Sequence, residues 1–370
     1  MKTSWHVVQL VPAMHSGGVE TTTLEIAEAL VNAGHRASVI STGGAMLPRL
    51  TQVGAEHVTM NIGAKRPWTL FNALRLAAWL RHERPDIVHV RSRLPAWLLE
   101  LALLLLRPEL RPKRISSVHG MNSVSRYSAV LLRGDSVIAV SQATHRYLQQ
   151  QYPTLAGREM HVIEPGIDRA HYPFGYQADE GWMEALYQRH PCLRGKRLLC
   201  LPGRLSRLKG HQAFIDLLAG LVERGENVAG MVVGGEEPGR EAYAECLYQQ
   251  VKHRGLSNHI VFTGRRDDMR EHLACSSLVL SLSNKPETFG RTVLEALSLG
   301  TPVLGWDHGG VHDLLAELCP EGRVPLNNQR ALLDSCLAML EHPPVIPEQH
   351  RFTLGNSCQK TLALYEDILT

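Results

Sequence analysis

The chain has 370 residues, 44% of them hydrophobic and 20% charged, which is enough to bury two domain cores and excludes a disordered or collagen-like polypeptide. Seven cysteines, at 192, 200, 246, 275, 319, 336 and 358, are odd in number and lack C-x2-C pairing; neither a disulfide framework nor a structural zinc site is expected, and a reducing cytoplasm is the natural compartment. The net charge of +3 hides an asymmetry: residues 1–167 carry 18 Lys and Arg against 11 Asp and Glu, or +7, and the remainder 21 against 25, or −4, so an anionic partner is expected for the first half and no nucleic acid for the whole.

The N-terminal Met1-Lys-Thr-Ser-Trp-His6 runs into a strand-like segment, Val7 to Val11, rather than into the apolar core of a signal peptide, so export is not expected. Ser16-Gly17-Gly18 stands between that strand and a helix predicted over Thr21 to Ala33. Glycines there allow close backbone approach and a helix terminus favours an anion. The pattern is not G-x-G-x-x-G, which argues against a nicotinamide-dependent dehydrogenase. A strand at Ala37 to Ser41 follows.

The segment Lys65 to Arg84, with Trp68, Trp79 and a predicted helix near Thr69 to His82, combines an apolar face with basic flanks. It reads either as a helix packed on its sheet or as one lying on an anionic membrane. A strand at Ile87 to Val90 leads to Arg91 and Arg93, candidates for binding an anionic acceptor, and then to a helix over Ala96 to Leu106. The longest apolar run, Leu94 to Leu106, is interrupted by Glu100 and is shorter than the ~20 residues of a spanning helix. Ile115 to His119 and Ser136 to Val140 are further short apolar strands, giving a parallel α/β first half. His119 ends its strand just before Gly120, so its ring is expected to project at a strand carboxyl end.

His161 to Ile163 leads into the turn cluster Glu164-Pro-Gly-Ile-Asp168, which suits a crossing between domains. A second α/β series begins with the strand Arg197 to Leu201. The loop Gly203-Arg204-Leu-Ser-Arg207-Leu-Lys209-Gly210 then places three cations where a diphosphate would meet them. Arg204 can bind bidentately and Lys209 as a point charge, and both suit a departing nucleoside diphosphate. A helix near His211 to Arg224 and strands at Ala229 to Val233 and Ile260 to Thr263 follow. Arg265-Arg266 are candidates for contact with a base or phosphates. Asp267-Asp268 are adjacent, which suits a helix N-cap; there is no Asp-x-Asp for a metal-held diphosphate, and metal-independent chemistry is expected.

After a strand at Leu278 to Ser281 comes the segment 285–303, KPETFGRTVLEALSLGTPV, with Glu287 on a loop and Glu295 about two helical turns further on. Leu294, Ala296, Leu297 and Leu299 continue an apolar helical face, Gly300 can close the helix, and Thr301 to Leu304 reads as a buried strand. The amides of Phe289, Gly290, Arg291 and Thr292 would be first-turn donors for phosphate or hydroxyl oxygens. Glu287 can accept from sugar hydroxyls and Glu295 from a ribose diol. Lying on one element, the two carboxylates could not easily flank a scissile bond as a double-displacement glycosidase requires. Gly309-Gly310 reads as flexible.

These segments, together with Ser16-Gly-Gly-Val-Glu20, Val118-His119-Gly120, Val140-Ser141, Pro165-Gly-Ile-Asp168 and Gly203-Arg204 with Lys209-Gly210, resemble the family-4 retaining glycosyltransferases of the GT-B architecture over nearly the whole chain. The resemblance implies two Rossmann-like, doubly wound parallel-sheet domains facing a cleft: residues 1–167 binding the acceptor and 168–350 the nucleotide sugar. A helix in 351–370, near Asn356 to Leu369, would pack back on the first domain. It further implies transfer from a UDP- or GDP-sugar, with no cofactor or metal, to a glycan or lipid-linked acceptor, as in lipopolysaccharide core or other cell-surface polysaccharide synthesis. His119, Arg204, Lys209 and Glu287 would be catalytic. Gly17, Gly18, Arg266, Phe289, Gly290, Arg291, Thr292 and Glu295 would bind substrate. His119 would not be the sole base, because the leaving phosphate itself helps deprotonate the acceptor. A cytoplasmic enzyme touching the inner face of the membrane is the expected setting. The alternatives are a nucleotide-sugar epimerase of similar fold and a non-catalytic glycan or nucleotide-sugar binding module.

Overall fold

The structure, a computed structural model, describes residues 4–15, 17–64, 67–155, 159–236, 239 and 241–370. The chain divides into two compact units, Met1–Gly166 with Leu354–Thr370, and Ile167–Thr353.

In the first unit seven strands form one parallel sheet: β1 (His6–Leu10), β2 (Arg36–Ser41), β3 (Glu56–Thr59), β4 (Ile87–Val90), β5 (Lys113–Val118), β6 (Ser136–Ala139) and β7 (Met160–Val162). Their spatial order is β3-β2-β1-β4-β5-β6-β7, so the chain winds outward from β1 and then returns to its other side. Val7 pairs with both Ala37 and Ile87, which puts the switch in winding direction between β1 and β4. Ligands of open parallel sheets sit at such a switch, beyond the carboxyl ends of the strands.

The crossovers include α1 (Gly18–Asn32), α2 (Leu47–Gln52), α3 (Asn72–Glu83), α4 (Arg93–Leu104) and α5 (Gln142–Gln151). α1 starts three residues ahead of the predicted Thr21, at the glycine pair itself. α4 starts at Arg93 rather than Ala96, because Pro95 falls in the first turn, where its missing N–H has no intrahelical partner to lose. α3 starts at Asn72, preceded by a 3-10 turn over Pro67–Phe71. Lys65, Arg66 and Ser16 lie outside the described residues.

The second unit repeats the plan with six strands: β8 (Arg197–Pro202), β9 (Val228–Val233), β10 (Ile260–Gly264), β11 (Leu278–Ser281), β12 (Val303–Trp306) and β13 (Arg323–Val324). Their order, β10-β9-β8-β11-β12-β13, puts the second switch between β8 and β11. Its helices are α6 (Glu180–Arg189), α7 (His211–Glu223), α8 (Glu241–His253), α9 (Met269–Ala274), α10 (Arg291–Ser298), α11 (Gly309–Leu318) and α12 (Gln329–Glu341). Gly309-Gly310, read as flexible from sequence, open α11 instead, and the Gly310 amide donates to the Glu287 carbonyl at 2.7 Å.

The last helix, α13 (Leu354–Leu369), belongs to the first unit. Ser357, Thr361, Leu364 and Tyr365 are its buried positions, spaced as one helical face. Leu364 and Tyr365 join the core formed by Leu24, Ile26 and Leu30 of α1 with Val7, Val39 and Ile115 of the sheet.

Candidate functional site

In the second unit the loop after β8 is locked from two sides. Gly210 has φ 74°, and a Cβ there would lie 1.9 Å from the Leu282 carbonyl oxygen, so only glycine lets this loop lie against the end of β11. The Asn284 amide donates to the Leu208 carbonyl at 2.8 Å and its side-chain Nδ2 to the Arg207 carbonyl at 3.2 Å. On the other side the Leu205 amide donates to the Gly235 carbonyl at 2.9 Å.

This anchoring brings Lys209 onto Glu287, with Nζ to Oε1 at 2.6 Å, and Ser283 Oγ donates to the same oxygen at 2.6 Å. Burial pushes the Glu287 carboxyl up, but the Lys209 ammonium and the Ser283 hydroxyl outweigh it and hold the group below its ordinary range. The Glu287 carboxyl is therefore ionised. Lys209, Ser283, Glu287 and Thr292 line one small cavity at the β8/β11 switch.

Gly290, at φ 96°, is the cap of α10, which opens at Arg291 with no side chain capping it. The first-turn amides are thus those of Arg291, Thr292 and Val293. Phe289, expected among those donors, precedes the cap; its side chain is buried against Phe352, ring centroids 6.2 Å apart, and serves packing. The α11 start presses on the same loop: a Cβ on Gly310 would lie 2.5 Å from the Thr288 carbonyl oxygen, and the His308 ring meets the Ser283 carbonyl at 2.9 Å.

Glu295 has a different neighbourhood from Glu287. It faces Arg291 at 3.5 Å, and its charge helps burial raise the Tyr172 hydroxyl pKa. The Arg291 side chain is therefore engaged within α10. Arg266 is bound to Asp268 through two hydrogen bonds, at 2.8 and 2.6 Å. Asp268 does occupy the cap position of α9, but its carboxylate caps nothing, being taken by Arg266 and by the Trp182 indole at 2.8 Å. Of the three loop cations, Lys209 is the one whose charge is seen to meet Glu287. Arg204 is exposed, and Arg207 lies over the Tyr243 ring of α8, 5.4 Å from its centroid.

In the first unit, α1 starts at the β1/β4 switch with Gly17 as its cap residue and no side chain capping it. A Cβ on Gly18 would meet nothing within 4 Å, so the backbone there is open to approach. His119 follows β5, half-buried, with Nε2 3.2 Å from Arg91 Nη1. Arg91 Nε donates to Gln9 Oε1 at 2.9 Å, and Gln9 Nε2 donates to the Thr23 carbonyl at 2.9 Å. Burial and the Arg91 charge push the His119 pKa down to about 3, so the ring is neutral at physiological pH. Sequence reasoning overlooked Gln9, Ser283 and His308, polar residues within apolar strands or their ends; the Gly309-Gly310 pair was the one signal for the last two.

Residues 16–171 match the family model Glycosyltransferase Family 4, and residues 185–353 match Glycosyl transferases group 1. The chain is 26% identical over 324 residues to the N-acetyl-alpha-D-glucosaminyl L-malate synthase of Bacillus anthracis, covering 82% of this chain and 79% of that one. A crystal structure of a glycosyltransferase from Rickettsia africae superposes with a TM-score of 0.85 at 26% identity, over 99% of both chains. Anabaena HepE, solved with UDP and glucose, superposes with a TM-score of 0.81 at 21% identity, over 98% of this chain and all of that one. Matched through both units by sequence and by fold, the chain belongs to the family-4, group 1 glycosyltransferases of the GT-B architecture and is a glycosyltransferase.

Proposed function

We propose that the protein is a retaining, metal-independent transferase that moves a sugar from a UDP- or GDP-sugar held by the second unit to an anionic glycan or glycolipid held by the first, in lipopolysaccharide core or other cell-surface polysaccharide synthesis. The observation that carries this reading is the Lys209–Glu287 pair lying beside the uncapped start of α10 at the β8/β11 switch. As the bond from the anomeric carbon to the diphosphate breaks, negative charge grows on the phosphate oxygens. Lys209 and the amides of Arg291 and Thr292 are the donors suited to meet it. The acceptor oxygen forms the new bond, and its proton passes to the departing diphosphate. Glu287 is tied to Lys209 and Ser283 and so orients the cation while offering a carboxylate to sugar hydroxyls. HepE, of like fold, was solved with UDP and glucose, and the Bacillus relative's name includes L-malate, a dianion; both favour the donor and acceptor classes proposed.

The decisive experiment measures nucleoside diphosphate release from a panel of sugar nucleotides with and without candidate acceptors. Acceptor-dependent release supports transfer. An isomerised donor without release would replace this reading with the epimerase, and binding without turnover with the binding module.

A peripheral membrane contact is part of the same proposal. Leu70, Phe71 and Leu74 are 52%, 70% and 57% exposed at the start of α3, beside the exposed Arg75. An apolar cluster with a basic neighbour suits an anionic lipid surface at the inner face of the cytoplasmic membrane. No helix among the described residues is long and apolar enough to cross a membrane.

A further inference from the structure

At the β1/β4 switch, four polar groups form a chain whose hydrogen-bond directions chemistry dictates. The Thr23 carbonyl can only accept, so Gln9 Nε2 donates to it and Gln9 Oε1 is left to receive Arg91 Nε. A guanidinium has no acceptor, so its Nη1, 3.2 Å from His119 Nε2, requires a lone pair on that nitrogen. An imidazole with a lone pair on Nε2 carries its proton on Nδ1.

Arg91 is only 4% exposed, and its Nη2 is buried without a hydrogen-bond partner. Among the described residues no carboxylate stands in ion-pair range of it. An arginine buried on these terms is less favourable than an apolar side chain of similar size, so packing alone does not account for it. We propose that Arg91 is a positioning residue that locks His119 as the neutral Nδ1–H tautomer, so that His119 serves sugar transfer as a hydrogen-bond donor and never as a base.

The electrostatic surroundings agree. The charged and titratable neighbours acting on His119 and on this chain are Arg91 and His89 from β4, Glu25 from α1, and Tyr365 and Cys358 from α13. Burial pushes the Tyr365 and Cys358 groups up, which keeps both uncharged, and it pushes His89 down, which keeps it neutral too. Glu25 acts on Arg91, favouring its charged form. A second proton on His119 would have to take Nε2, directly against the guanidinium.

The inference rests on the reading that His119 belongs to the transfer site, and the two are tested separately. Nitrogen NMR on protein with 15N-labelled histidine, with His119 assigned by difference from His119→Gln, reads the tautomer with no need of turnover. The wild-type ring is expected to show Nδ1–H and a bare Nε2, unchanged from about pH 5 to about pH 8, where an ordinary histidine titrates. A protonated Nε2, or a midpoint near the ordinary 6.5, would overturn the proposal.

In Arg91→Met the ring should lose its fixed Nδ1–H tautomer and its pKa should rise from the wild-type value while burial still holds it below the ordinary range, and kcat should fall about ten-fold or more, as when an orienting partner is removed. In Arg91→Lys, which keeps a cation, the neutral ring should persist. A ring unchanged in folded Arg91→Met would also defeat the proposal, and if that variant does not fold the wild-type spectrum still decides. Unaltered turnover in folded His119→Ala would remove His119 from the site while leaving the tautomer assignment standing or falling on its own spectrum.

Discussion

At the residue scale, Lys209 and Glu287 hold each other in an arrangement that bears on both stability and chemistry. Lys209→Ala should lower kcat by about 10²–10³-fold, the usual loss on removing one donor aimed at developing charge. It should also lower the melting temperature, because Glu287 then loses its ammonium partner and keeps the Ser283 hydroxyl. Adding Glu287→Gln should recover stability but not turnover, and recovery of turnover would refute the role given to Lys209. Glu287 sets an acid limit as well. Its folded pKa lies below the ordinary 4.5, so the stabilisation is fully present above 4.5 and is lost as pH falls from there through the folded value. Wild type should therefore lose stability below about pH 4.5 more steeply than Glu287→Gln, as read from chemical denaturation at a series of pH values. Glu295, engaged with Arg291, should behave differently: Glu295→Ala should raise the donor KM more than it lowers kcat.

At the element scale, the loop between β8 and α7 works only if its backbone lies flat against the end of β11. Gly210 and Gly225 both have positive φ, 74° and 82°, but a Cβ at Gly225 meets nothing within 4 Å, whereas one at Gly210 meets the Leu282 carbonyl oxygen at 1.9 Å. Gly225→Ala should therefore cost about 1 kcal/mol in denaturant unfolding and spare activity. Gly210→Ala carries the same strain and must also push two loops apart, so both stability and turnover should fall well beyond that; equal losses in the two variants would contradict the account. The same contrast explains what could be read from sequence. Alternating apolar strands and amphipathic helices exposed the parallel α/β plan, and the positions of Lys209 and Glu287 on loops after strands followed from it. Helix starts are less legible: the helix expected from Ala96 leaves out Pro95, which sits within the first turn, and Phe289 is expected as a first-turn donor although the next residue, Gly290, is the cap. Partners remote in sequence were invisible altogether, since Asp268 with Trp182 and Arg91 with Gln9 are joined only by tertiary packing, across 86 and 82 residues of chain.

At the scale of the whole molecule, basic charge gathers in residues 1–167 and acidic charge in the rest, which fits the proposal that the first unit meets an anionic acceptor or surface and the second a small nucleotide. If the cluster at the start of α3 docks on lipid, Phe71→Ser with Leu74→Ser should abolish co-sedimentation with anionic phospholipid vesicles while leaving turnover on a soluble acceptor unchanged; undiminished sedimentation would end that idea. The chain's return to its first unit has a sharper consequence. α13 contributes Leu364 and Tyr365 to the first core, and the Tyr365 hydroxyl lies 2.6 Å from His89 Nδ1 inside it. Tyr365→Phe should cost about 1–3 kcal/mol, because a buried imidazole nitrogen is left unpaired. A chain ending at Thr353 loses those two large side chains as well as Ser357 and Thr361, each of the large ones worth about 2–5 kcal/mol, against a typical domain stability of about 5–15 kcal/mol. The first unit of such a chain should unfold while the second, whose core α13 does not enter, keeps its own transition and its stabilisation by nucleoside diphosphate. Calorimetry with and without UDP or GDP reads both units at once, and a truncated chain that retained the first unit's transition would show that α13 is dispensable to that core.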